Sequence, residues 1–373
     1  MQITVFQEIT NNVELGKSFQ KLSEDKNIKA LMMLIAEKAP ITQSGFLDLI
    51  PENIPVFGGI FPKLIHQNEI IDEGVIIIGI QQDIELIAIE DMAYLDHNNI
   101  TNLLSDKWIE EGYKTLITYV DGRSAEIEKF ISTLFNIYGI ELNFIGGGCG
   151  SLTSPDISSI IIGKKLFKNA AVLAALKANS SVGVKHGWEV LAGPFSVTDA
   201  NKNTLYKIDG QPAFQFYKNT IKELGGKLIN TENFSDIARG FPFGIGKFDQ
   251  EEIIRDPILI GSEDSLICVG EIPQNSLIYI MKGEENKIVE AAGHAYNEAL
   301  NQFPLDTEYF VFFIDCISRS LFLEQNFQKE IDIVCDNPNP VIGVLSLGEI
   351  ANSGKDYLEF FNKTAVVALI EKI

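Results

Sequence analysis

Three times along the chain the same local order recurs: an apolar strand, a short helical stretch, a strand ending in glycine, a loop, and another apolar strand. A repeat of this kind constrains the fold more than any isolated motif, because overlooking it misassigns the whole architecture. The first unit runs from Ala30 to Ala36 (ALMMLIA) through a helical stretch near Ile41 to Leu49, then Ile54 to Gly59 (IPVFGG), then Gly74 to Ile80 (GVIIIGI). In the second, Lys114 to Asp121 (KTLITYVD) precedes a helix over Ser124 to Tyr138. Its Ile127, Phe130, Ile131, Leu134 and Phe135 fall on one helical face. Leu142 to Ile145 then runs into Gly146-Gly147-Gly148-Cys149-Gly150, and Ala170 to Leu176 closes the unit. The third comprises Tyr309 to Cys316 (YFVFFIDC), a helix over Leu321 to Glu330, Val341 to Gly348 (VIGVLSLG) and Thr364 to Ile370 (TAVVALI).

Between the second and third units the pattern turns antiparallel. Ser181 to Trp188 leads to Phe195-Ser196-Val197-Thr198, a polar turn over Asp199 to Asn203, and the strand Thr204 to Ile208, which together form a hairpin signature. Pro212 suits the first turn of a helix carrying Phe214, Tyr217 and Ile221 that stops at Gly225-Gly226. Further strands are expected near Ile258 to Ile260, Ser265 to Val269 and Ser276 to Met281. A helix is expected over Glu284 to Gln302, whose Ala291, Ala292, Ala295 and Ala299 favour close packing. The expected class is α+β, with mixed, largely antiparallel sheets flanked by helices and two abutting domains.

Several function classes are excluded early. With 30 Lys and Arg against 51 Asp and Glu, the formal net charge is −21. Such a chain repels phosphate backbones and anionic lipid, which argues against nucleic-acid and polybasic membrane roles. The longest apolar runs are too short to span a bilayer, and nothing near Met1 reads as a signal peptide; a soluble, cytoplasmic protein is expected. The four cysteines, Cys149, Cys268, Cys316 and Cys335, are scattered without CxxC spacing, and His66, His97 and His294 are isolated, so no structural zinc site is indicated. Gly146 to Gly150 do not open into a helix, no GxGxxG is present, and a nucleotide loop is disfavoured.

Taken in order, a set of motifs resembles the FIST family, an N-terminal FIST domain followed by a C-terminal one. The first half carries Phe144-Ile145-Gly146-Gly147-Gly148, His186-Gly187-Trp188, Val197-Thr198-Asp199-Ala200 and Ile208-Asp209-Gly210-Gln211-Pro212-Ala213. The second carries Cys316-Ile317-Ser318-Arg319, Gly348-Glu349-Ile350 and Phe361-Asn362-Lys363-Thr364. The resemblance covers roughly Ile28 to Ile373, with domains expected at 28–224 and 225–373. The chain departs from the family in Ser318, where glycine is common, and in Phe57-Gly58-Gly59, where small polar residues or cysteine are common. The resemblance implies a sensory module that binds small molecules such as amino acids, partnered with kinase, chemotaxis or diguanylate-cyclase outputs; some relatives bind haem and sense nitric oxide. With no room for an output domain before about residue 28 or after Ile373, signalling is expected to pass in trans to a partner such as a histidine kinase or diguanylate cyclase.

The candidate ligand-binding residues are Gly146, Gly147, Gly148, His186, Trp188, Cys316, Arg319, Glu349 and Asn362, with no catalytic or metal residue proposed. Arg319 stands out because only four of the 30 basic residues are arginines (Arg123, Arg239, Arg255, Arg319). Its fork suits a carboxylate, and Glu349 suits an ammonium, so together they would complement a zwitterion; a structural ion pair between them is the alternative. Trp188 could stack on a ligand and His186 could donate to it, ligate haem, or simply sit in the core. Cys316 would be a nucleophile only with a base or positive field beside it, and a buried inert thiol is the common case. Asn362 could contact a ligand or start the last strand. The glycines could line a pocket or merely allow close packing.

Overall fold

The computed structural model describes residues 2–6, 12–39, 45–94, 103–104, 107–247, 251–352 and 357–372. His97 and residues 41–44 of the expected first helical stretch lie outside them. Along the chain, the first unit comprises β1 (Gln2–Phe6), α1 (Asn12–Glu24), β2 (Ala30–Ala36), a 3₁₀ turn (Phe46–Leu49), β3 (Val56–Phe61), the hairpin β4 (Lys63–His66) and β5 (Glu69–Ile71), and β6 (Val75–Ile80). The second comprises β7 (Glu85–Ile89), α2 (Lys107–Glu110), β8 (Thr115–Asp121), α3 (Ile127–Tyr138), β9 (Asn143–Cys149), the hairpin β10 (Ile160–Ile162) and β11 (Lys165–Phe167), and β12 (Ala171–Leu176). The third begins with β13 (Ser180–Lys185) and is then interrupted by an inserted lobe. The lobe contains β14 (Glu189–Asn201), β15 (Thr204–Ile208), β16 (Gln211–Pro212), α4 (Ala213–Glu223), α5 (Phe234–Ala238), β17 (Phe243–Ile245), β18 (Ile253–Arg255), β19 (Pro257–Ile260), β20 (Leu266–Cys268) and β21 (Leu277–Lys282). The unit resumes with α6 (Glu285–Gln302), β22 (Tyr309–Cys316), α7 (Ile317–Leu323), α8 (Phe327–Cys335), β23 (Val341–Ser346), the hairpin β24 (Glu349–Ala351) and β25 (Glu359–Phe361), and β26 (Ala365–Glu371).

The expected repeat is present and more regular than the sequence suggests. In every unit the strand before the helical stretch pairs in parallel with the strand after it: β2 with β3, β8 with β9, β22 with β23. The returning strand, β6, β12 or β26, runs antiparallel on the other side. The stretches between the glycine-ended strand and the returning strand hold hairpins, and each hairpin leaves its own unit. β4–β5 completes the sheet of β23, β10–β11 that of β3, and β24–β25 that of β9. The exchange closes in a ring, giving three six-stranded sheets of matching order: β1-β6-β2-β3-β10-β11, β7-β12-β8-β9-β24-β25 and β13-β26-β22-β23-β4-β5. The architecture is α+β with mostly antiparallel pairing, as expected.

The inner faces of the three sheets meet in one core that joins Met32, Phe57, Tyr119, Ile145, Phe312, Val344 and Val366. Helices cover the outer faces. α1 and the 3₁₀ turn lie over the first sheet, α3 over the second, and α6 with α8 over the third. Strands buried on both faces need mostly apolar residues, which is why β2 reads as an unbroken apolar run and β8 and β22 as nearly so. The lobe forms a separate sheet, β18-β17-β21-β14-β15-β20-β19, with its own core against α4 around Val197, Phe214, Tyr217 and Ile280. Among the described residues no helix is long and apolar enough to cross a membrane.

Glycine recurs where the repeat requires it. Gly58, Gly146 and Gly343 face Met33, Thr118 and Phe313 in register, and a methyl on any of them would overlap that partner's carbonyl oxygen. Gly343→Ala is therefore expected to destabilise the protein by about 1–3 kcal/mol in urea unfolding, because the neighbour is backbone and cannot step aside. Gly16→Ala, in α1 where the new methyl meets only Leu49 Cδ2 at 3.7 Å, should instead be neutral or stabilising by up to ~1 kcal/mol. Equal effects at the two positions would contradict this account.

Candidate functional site

The carboxyl ends of β8, β22 and β23 come together at one end of the core, and the lobe leans over them. Between lobe and core lies a cavity of about 460 Å³. The core contributes Gly122 to Ala125, Cys316 to Ser318, Leu347-Gly348 and Asn362. The lobe contributes the Lys202-Asn203 turn, Arg239, Asp256 to Ile258 and Cys268 to Glu271. Strand ends followed by loops are the usual place for a ligand site in sheets with parallel pairs, since side chains can vary there without disturbing the core.

The cavity is polarised. Cys316, Gly348, Asn362 and Asp256 are buried at its inner end, whereas Arg123 and Lys202 are exposed at its mouth. Asn362 donates from Nδ2 to the Phe361 carbonyl at 2.9 Å, which fixes the amide orientation, while its buried Oδ1 has no hydrogen-bond partner. Leaving an amide oxygen dry and unpaired costs on the order of 1–3 kcal/mol, so it is a natural point for a donor from a ligand. Asp256 accepts from Ser318 Oγ at 3.0 Å and pairs with Lys363 Nζ at 3.2 Å. Arg123 donates to the Ser151 carbonyl at 2.9 Å. Glu128 and Glu271, both half-buried, also line it, and Lys202 pairs with Glu126 at 3.1 Å, so the mouth carries charges of both signs.

Arg319 lies behind this wall and does not line the cavity. It is fully buried. Nε donates to Glu330 Oε1 at 2.9 Å and pairs with Asp315 Oδ1 at 3.0 Å; Nη1 donates to the carbonyls of His186 and Lys363, at 2.6 and 3.1 Å. Nη2 donates to the Ile288 carbonyl at 2.8 Å and to Glu330. Burial works against its charge, but Glu330 and then Asp315 hold the guanidinium pKa above its ordinary value. The fork is filled by the protein itself, and Glu349 is not among its partners. Glu330, eleven residues on in α8, could not be recognised as the partner from strand-end spacing.

His186 and Trp188 belong to the same buried knot. The Trp188 backbone N–H donates to His186 Nδ1 at 2.9 Å, and its indole Nε1 donates to the Lys363 carbonyl at 3.1 Å. Burial, then Arg319, pushes the His186 pKa down to about 3, so the ring is neutral. Neither residue lines the cavity, and among the described residues no histidine does. No group of three or more His, Cys, Asp or Glu among them could hold a metal ion. Gly146, Gly147 and Gly148 also lie off the cavity, where methyls would strike Thr118, Gly348 and Gly122 backbone atoms. Of the nine residues singled out from sequence, Cys316 and Asn362 line it. Asp256, Ser318, Arg123, Arg239 and Lys202 line it without having been expected; the concentration of two of the four arginines at its rim emerges only in three dimensions.

Cys316 is buried, and burial followed by Glu349 raises its thiol pKa well above normal, so it is protonated and a poor nucleophile. Glu349 is a buried carboxyl accepting from Ser346 Oγ at 2.8 Å and the Thr364 N–H at 3.3 Å. Burial outweighs these bonds and lifts its pKa to about 8. The unfolded carboxyl titrates near 4.5, so the folded state binds the proton more tightly. Its contribution to stability is full below about pH 4.5 and is lost as pH rises to about 8, at no more than about 1.4 kcal/mol per pH unit. Glu349→Gln should remove that slope: the stability difference, variant minus wild type, is expected to grow between pH 5 and 8 in urea titrations and then level off. A difference independent of pH would contradict the buried neutral carboxyl.

Family models match nearly the whole chain: the FIST N domain over residues 30–211 and the FIST C domain over 213–352. Comparison with curated proteins finds no match. FIST domains are regarded as sensory domains that bind small ligands in signalling proteins. Three of the motifs quoted for the resemblance converge in space, since His186, Arg319 and Lys363 meet at one knot beside the cavity. The chain belongs to the FIST family, with an N-terminal FIST domain followed directly by a C-terminal one.

Proposed function

We propose that this protein is a ligand-binding sensory module whose cavity between core and lobe takes a small zwitterion, an amino acid or a close analogue. The observation that carries this reading is the unpaired, buried Oδ1 of Asn362, a residue that lines the cavity together with Asp256, with Arg123 and Lys202 at the mouth. An ammonium group would donate to Asn362 Oδ1, beside a lining that also holds Asp256, whose carboxylate is shared with Lys363 and Ser318. A carboxylate would face the guanidinium of Arg123 or Arg239. Apolar Ile258, Leu321 and Leu347 leave room for an aliphatic side chain between the two ends. Arg319 and Glu349 act from behind the wall, and Cys316 contributes surface. The bound state would be read in trans by a partner, a histidine kinase or a diguanylate cyclase.

Isothermal titration against a panel of amino acids, their decarboxylated amines and their deaminated acids tests the assignment. At least one free amino acid is expected to bind, and its amine and acid counterparts more weakly. Asn362→Leu should weaken that binding about 10- to 100-fold, as expected for a lost hydrogen bond to a charged group. No heat and no thermal shift across the panel, or full affinity in Asn362→Leu, would overturn the reading.

A further inference from the structure

The lobe joins the core at two crossings that lie side by side. The chain leaves β13 through His186-Gly187-Trp188 and returns from β21 through Gly283 to α6. A methyl on Gly283 would overlap the Trp188 ring, so the crossings touch. Gly187 has φ +74°, a left-handed corner that suits glycine. The lobe carries its own apolar core, and its seam with the body of the protein combines a buried apolar patch, where Ile254 and Met281 join the cluster under α6 and α8, with polar contacts. Across it run Glu271 N–H to Glu128 Oε1 at 2.6 Å, Arg255 Nη1 to the Phe360 carbonyl at 3.0 Å, Lys247 to Glu359 at 2.7 Å and Lys202 to Glu126 at 3.1 Å.

One contact differs from the rest in pairing a fully buried ammonium with a carboxylate. Lys363 is fully buried at the start of β26. Its Nζ pairs with Asp256 at 3.2 Å, donates to the Arg239 carbonyl at 3.2 Å and sits 5.0 Å from the centre of the Trp188 ring, all three being lobe or hinge. Its carbonyl accepts from Arg319 and from the Trp188 indole. The residue also holds φ +52°, an unfavourable corner for lysine. Asn169 occupies the matching corner of the second unit with the same φ +52°, and asparagine tolerates it well. A lysine kept there points to a use for the ammonium.

We propose that Lys363 is a positioning residue that latches the lobe onto the core and sets Asp256 at the inner end of the cavity, and that the lobe lifts about Gly187 and Gly283 when the latch is released. A buried ammonium whose only paired carboxylate among the described residues is across the seam ties the lobe down, since separating them leaves two uncompensated charges. The same bond fixes where Asp256 presents its charge. The proposal stands on the seam itself and holds whichever ligand the cavity takes.

Pulsed electron-electron resonance on the full chain reads the motion directly, with spin labels at Ser132→Cys in α3 and Lys222→Cys in α4 and with Cys335→Ser. The protein with its latch intact is expected to give one distance. Lys363→Met and Asp256→Asn should each add a second, longer population, while Lys202→Ala, which removes a surface pair on the same seam, should not. Should Lys363→Met fail to fold, Asp256→Asn breaks the latch from the other side. An unchanged single distance in a folded latch variant, or the same lengthening in Lys202→Ala, would overturn the proposal.

Discussion

The outer strand of each parallel pair, β3, β9 or β23, gains its next neighbour only from a hairpin belonging to another unit, and the rest of the molecule depends on that exchange. An unpaired edge in the middle of an apolar sheet would leave a row of backbone donors and acceptors without partners. Because β4–β5 goes to the third sheet, β10–β11 to the first and β24–β25 to the second, the ring closes and all three edges are extended together. The arrangement also draws the ends of β8, β22 and β23 to one end of the core, which is where the lobe settles and the cavity forms.

On that near-threefold frame, the third unit departs in a directed way. Ile35 and Val120 occupy the position that β22 gives to Asp315, and Leu64 and Ile160 occupy the position that β24 gives to Glu349; all six are fully buried. Apolar residues are what the core asks for at both sites, so the carboxyls are kept against the packing preference. With Arg319, Glu330 and Lys363 they form a buried polar layer behind the inner end of the cavity. Breaking one member of such a layer strands the others, which makes it rigid. The cavity wall therefore rests on a stiff base on the core side and on the inserted lobe on the other.

Much of the fold was legible because it is local. The apolar runs of β8 and β22, the helical face of α3, the hairpin of β14 and β15 and the alanine-rich α6 follow from periodicity and turn residues within a few positions. The exchanged hairpins were not legible, since their partners lie one or more units away and nothing in a three-residue strand such as Ile160–Ile162 names its neighbour. The site shows the same division. Cys316 and Asn362, which line the cavity, stand out in sequence because they end or begin long apolar strands. Arg319 was read as a ligand fork because its rarity and strand-end position are visible, whereas Glu330 and the three carbonyls that occupy it are set by tertiary packing. Asp256, Ser318 and Lys202 carry no local signal. Glu349 carries one: aligned against Leu64 and Ile160 of the sister units, it is a charge where the repeat specifies an aliphatic side chain.

The central claim is that a small zwitterion occupies the cavity between lobe and core. Methyl-labelled NMR tests it most directly, because Ile127, Ile258, Ile317, Leu321 and Leu347 place probes around that cavity and nowhere else. Titration with the amino acid that binds should shift these five sets of methyls first and furthest, with Met32 and Ile78 at the opposite end of the core unmoved. Shifts centred away from the cavity, or no saturable shift with any amino acid, would contradict the account.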